Sequence, residues 1–236
     1  MFKNKSNTFM CFSPPVMLAT FVIEIILLIA TLATRKMNKV TKLICATLFA
    51  LALFQLCEYF VCGGLGVNAN MWSRIGFVSI TTLPPLGLHL MYAIAGKKSK
   101  WVVPAGYGLM AAWIIAFGFT EQAFSSHQCV SNYVIFNLHD YVGYVYSAYY
   151  YGLLLAGIWL AMRFGEKAKN PQQKEALYGM IVGYLVFLIP TAVVNTINPA
   201  TMAGIPSIMC GFAVLFAIIL YGYILPRTTV SHKSKD

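Results

Sequence analysis

Residues 54–62 read Phe-Gln-Leu-Cys-Glu-Tyr-Phe-Val-Cys and close a long apolar run. Gln55, Glu58 and Cys62 are spaced three and four apart, so on a helix they share one face. An amide, a carboxyl and a thiol on one face can bind a polar ligand, hold a metal such as zinc or relay a proton. An ionisable group within a membrane span costs about 3 kcal/mol or more, so it faces the protein interior and a partner. His139, Asp140, Tyr144, Asn195 and Cys210 bring the same kinds of chemistry at the ends of other apolar runs. Glu24 and His89 sit deeper, inside runs of their own.

The elements that must position these residues are membrane helices. The chain has 236 residues, 59% hydrophobic and 10% charged, with a mean hydropathy of +0.70. A soluble domain carries roughly 25% charged residues. Seven runs reach the ~20 residues needed to cross hydrocarbon: 14–34, 43–62, 74–95, 101–120, 140–162, 176–197 and 206–225. The expected fold is therefore an all-α bundle of seven transmembrane helices. Residues 1–13 form an extracytoplasmic segment, 14–225 the membrane domain and 226–236 a basic cytoplasmic tail. The first run is followed by Arg35-Lys36 rather than a small-residue cleavage site, so it reads as a retained helix. Thr81-Thr82-Leu83-Pro84-Pro85 predicts a break in the third helix, with neighbouring hydroxyls satisfying the freed carbonyls. The fifth helix is rich in tyrosine, and several of its rings are expected to point into the bundle or to the interface. Gly179 and Gly183 form a small-xxx-small pair, read as packing within the bundle.

The net charge of +10 does not indicate a nucleic-acid partner, because the basic residues cluster between apolar runs. Fourteen of the 17 Lys and Arg fall on one side, leaving Lys3, Lys5 and Arg74 on the other. Positive loops stay in the cytoplasm, so the N-terminus is expected outside and the C-terminus inside. That orientation collects Cys11, Gln55, Cys57, Glu58, Cys62, His139, Asp140, Asn195 and Cys210 in the outer half, with Ser207 beside them. It puts Glu24 near the midplane and His89 in the inner half. Two readings are open for the outer group. It is an outward-facing pocket built on Gln55, Glu58, His139, Asp140, Tyr144, Asn195 and Cys210, or a set of interfacial residues satisfied by water and by one another. With orientation assigned, Glu58 is expected within reach of water. Glu24 and His89 are either hydrogen-bonding struts or members of a proton path.

Residues 121–138 are the longest outer loop, either a cover over the bundle mouth or a plain connection. Cys11, Cys62 and Cys129 allow three pairings; Cys62 with Cys129 would tie this loop to the second helix. Reduced packing cysteines are the alternative, and Cys45 reads as one of these. No HxxxH, HExxH or CxxC spacing accompanies the polar residues, so no metal or other cofactor is assigned. Haem between His89 and His139 fails on depth, since the two lie on the order of 20 Å apart by helix rise. Retinal fails for want of a lysine inside any span. Seven-helix hydrolases of the alkaline ceramidase type use a histidine pair on the last helix, which has none here.

Met10-Cys11-Phe12-Ser13, followed by a first helix, basic residues and a second helix ending Phe54-Gln55-Leu56-Cys57-Glu58, resembles an uncharacterised bacterial seven-helix membrane protein family. Its members begin Met-Cys-Phe-Ser and carry a Gln/His-x-x-Glu element in the second helix. The matching positions are Cys11, Ser13, Gln55 and Glu58, over about the first quarter of the chain. The resemblance implies Met10 as the family's start, with residues 1–9 an extension. The whole chain is also similar to the seven-helix sensory modules of bacterial histidine kinases. The expected function is a receptor-like or sensory module of the bacterial inner membrane, taking an unknown small ligand and signalling through a separate cytoplasmic or membrane partner. A small-solute or proton-coupled transporter using Glu24, Glu58 and His89 is the alternative, and a membrane-embedded hydrolase or metalloenzyme the third.

Overall fold

The computed structural model describes residues 14–62, 68–120, 124–130 and 133–228. Cys11 and Ser13, with the rest of the N-terminal segment, and tail residues 229–236 lie outside that set, as does the side chain of Asp140. The helices are α1 (Pro14–Thr34), α2 (Lys39–Cys62), α3 (Ala69–Thr81), α4 (Leu83–Ile94), α5 (Val102–Phe119), α6 (Asp140–Lys167), α7 (Pro171–Ile197), α8 (Ile205–Ile219) and α9 (Leu225–Thr228). A π-helical turn joins α8 to α9, and α3 with α4 makes one span, so among the described residues seven helical stretches are long and apolar enough to cross a membrane. Their outward faces carry exposed Ile26, Ile29, Ile115, Leu155 and Ile189, the surface that lipid would cover.

Several helices run further into the basic loops than the apolar runs suggest. Asn38 accepts a hydrogen bond from Thr41 N (2.9 Å) at the start of α2. Asn170 does the same for Gln172 N (2.9 Å) ahead of Pro171 in α7. A side-chain acceptor at the N-cap satisfies an otherwise orphaned N–H, so the cap rather than the first apolar residue sets the boundary.

The third span breaks at Thr82, as its prolines require. Pro85 has no N–H to offer the carbonyl four residues back, which is that of Thr81. Tyr149 of α6 donates its hydroxyl to that oxygen instead (2.8 Å). Tyr146 pairs with the Thr81 hydroxyl (3.0 Å), so two tyrosines latch α6 onto the break.

Buried α2 is the hub, packed against α1, α3, α4 and α8. On α7, Gly179 meets Tyr223 of the π-helical turn and Gly183 meets Phe216 of α8, so the glycine pair lets α7 close on the last span within one molecule.

The expected outer loop contains two strands. β1 (Phe124–Val130) and β2 (Tyr133–Leu138) form an antiparallel hairpin over one end of the bundle. Buried Val134 and Phe136 alternate toward the helices, and Phe136 lodges between Phe54 of α2 and Phe77 of α3 (centroids 6.0 and 5.1 Å). A Cys62–Cys129 disulfide fastens the hairpin to the end of α2. At the same end, Arg74 donates to the Phe117 and Thr120 carbonyls (3.3 and 3.0 Å), capping α5 with positive charge.

Candidate functional site

α1, α2 and α8 meet beneath the hairpin. By helix rise, Glu58 lies about 6 Å below its end of α2, Gln55 about 10 Å, and Glu24 about 15 Å along α1. All three are sealed: Glu24 is 0% exposed, Gln55 and Glu58 1% each. Glu24 and Glu58 lie within electrostatic reach of one another, and Cys210 of α8 is within reach of both. Cys57 stands beside Glu58. Ser207, two residues into α8, hydrogen-bonds the Glu58 carboxyl and accepts from Val134 N of the hairpin (3.2 Å). The hairpin backbone is thus joined to the carboxyl through one hydroxyl.

This arrangement differs from a polar pocket open to the outside. Glu58 is sealed rather than wetted, because the hairpin occupies the space above it. Glu24 belongs with Glu58, although depth along the sequence separates them. His139 is exposed at the start of α6 and makes no capping bond with its side chain. Asn195 accepts from Thr201 (2.7 Å), holding the turn between α7 and α8 rather than turning to Glu58. Tyr144 is 78% exposed. Of the candidates, Gln55, Glu58 and Cys210 come together; Ser207, noted in the sequence only for its depth, completes the contact.

His89 does not join Glu24. Its Nδ1 pairs with the Tyr107 hydroxyl of α5 (2.9 Å), and its charged neighbour is Lys39. A relay running Glu58–Glu24–His89 therefore lacks its third member.

A second feature of this end is a cavity of about 520 Å³. Its walls are the first turns of α6, β2 and the start of α8, with Phe77 and Ile80 of α3 as floor. Tyr144, Tyr146, Tyr150, Tyr151, Met202 and Met209 dominate the lining, and Ser147 adds a hydroxyl. This volume suits a small molecule, and apolar walls with a few polar tips suit a mainly apolar one. Tyr150 and Met209 also line a smaller internal cavity of about 20 Å³ that reaches Cys210. The tyrosine signal was present in the sequence; the cavity was not, because it depends on α6 and the α7–α8 turn splaying around the hairpin.

Among the described residues, no three His, Cys, Asp or Glu side chains converge as metal ligands. No protein-family model matches the chain, and no curated protein matches its sequence.

Proposed function

We propose that the protein is a receptor-like or sensory module of a bacterial inner membrane, with its N-terminus outside and its C-terminus in the cytoplasm. It takes a small, mainly apolar ligand into the tyrosine-lined cavity and signals through a separate partner docked on the basic face. The observation that carries this reading is the cavity's position against the latch. Tyr146 both lines the cavity and pairs with Thr81 at the break in the third span. A ligand that engages the Tyr146 hydroxyl competes directly with that pairing. The break is the natural two-state element, because its Thr81 carbonyl is held by a side chain of another helix rather than by its own ladder. From there α4 runs to the basic end, where Gln173 of α7 donates to the Ile94 carbonyl (2.7 Å).

Trp113 packs edge-on against Tyr146 (5.2 Å between centroids) and reports on the site. Hydrophobic phenols, quinones and fatty amides are screened by thermal shift and Trp fluorescence, on wild type and on Gly143→Trp. Gly143 lines the cavity, and a Cβ there meets Leu138 Cβ at 4.0 Å, an ordinary contact, so the indole fills the cavity without displacing the core. A compound should stabilise the wild type, quench or shift Trp113 emission, and lose both effects in Gly143→Trp. If no compound of these classes moves the wild type, the ligand reading fails.

A further inference from the structure

The carboxyl cluster is separate from the cavity and has chemistry that the receptor reading does not use. Four of its polar atoms are buried without a hydrogen-bond partner among the described residues: both oxygens of Glu24, Oε1 of Glu58 and Nε2 of Gln55. Each such atom left unpaired costs about 1–3 kcal/mol, more if charged. The two acidic side chains lie within electrostatic reach of one another, and among the described residues neither forms an ion pair with a basic side chain. The ion pair among the described residues, Arg227 with Glu175, lies at the opposite end of the bundle. The groups packed around the carboxyls from α2 and α8 are Cys57, Ser207 and Cys210.

We propose that Glu24, Gln55 and Glu58 form a binding site for one sodium ion.

The donor set selects the ion. Carboxylate, amide and hydroxyl oxygens are hard ligands that suit hard cations. The absence of three converging His, Cys, Asp or Glu among the described residues sets aside zinc and its neighbours. Calcium asks for six to eight oxygens, and magnesium keeps several of its waters. Glu24, Gln55 and Glu58 are 0–1% exposed, so the site leaves little room for the water shell that magnesium keeps. One sodium and one proton together cancel the two carboxyl charges, which a bare sodium does not. Gln55 falls between the carboxyls in depth, so its carbonyl oxygen can complete the ligand set. Its Nε2 then donates to the ion's water. The inference is independent of the ligand cavity and stands if that reading fails.

The test is the melting temperature of the full-length protein in detergent, at equal ionic strength in sodium, potassium or choline chloride. The wild type should melt about 3 °C or more higher in sodium than in choline, and Glu24→Gln or Glu58→Gln should abolish the difference. Equal melting in sodium and choline overturns the site, as does melting that follows pH alone. An equal gain from potassium overturns the choice of ion. Should either variant fail to fold, the ²³Na NMR linewidth of the wild type decides. Broadening that collapses on thermal unfolding supports the site, and an unbroadened line refutes it.

Discussion

Thr81 shows how one residue carries a large share of the architecture. Its carbonyl is orphaned by Pro85, and Tyr149 supplies the replacement donor across 68 positions of sequence. Replacing Tyr149 by Phe keeps the ring packing against Trp113 but leaves a buried carbonyl unpaired. We expect Tyr149→Phe to lose about 1–3 kcal/mol of stability, read as a lower melting temperature in detergent. Tyr144→Phe, at a side chain 78% exposed, should leave it unchanged. Equal behaviour of the two variants would remove the latch. The need for a hydroxyl partner was legible from the Pro-Pro pair and the tyrosine-rich helix. Which of six tyrosines provides it depends on the rotation of α6 about its axis, and no residue pattern fixes that rotation.

Among the elements, the hairpin seals the carboxyl cluster. It is held by an aromatic wedge at Phe136, by the Val134–Ser207 contact and by the Cys62–Cys129 bond. The bond closes a long loop and contributes about 2–4 kcal/mol. Cys62→Ser should therefore lower stability by that order. It should also speed hydrogen exchange at the Val134 amide, whose partner is Ser207, while amides in buried α2 keep their protection. Unchanged exchange at Val134 would mean that the wedge alone holds the hairpin. The spans were readable because twenty apolar residues have few alternatives. The hairpin was less so: residues 133–138, Tyr-Val-Ile-Phe-Asn-Leu, carry a strand composition, but residues 124–130, Phe-Ser-Ser-His-Gln-Cys-Val, do not. Glu24 and Glu58 illustrate the same limit. Depth along each helix was readable, whereas the lateral offset that brings α1 against α2 emerges only from packing.

For the molecule as a whole, the basic residues define a direction. Asn70 is exposed at the hairpin end and Lys169 at the basic end; among the described residues the free cysteines Cys45, Cys57 and Cys210 are buried, and Cys11→Ser is carried in both labelling variants to remove its thiol. In intact cells, a membrane-impermeant maleimide should label Asn70→Cys at once and Lys169→Cys only after permeabilisation; the reverse pattern would invert the proposed topology. The order in which the chain is made gives the sealed site a history. Glu24 and Glu58 belong to the first two spans to emerge, and Ser207 and Cys210 to the last. Two further spans must be threaded before Cys129 can find Cys62, and Ser207 arrives later still. Through most of synthesis the carboxyl pair therefore lacks its α8 neighbours and the cover of the hairpin, and the site is sealed only at the closing step of assembly.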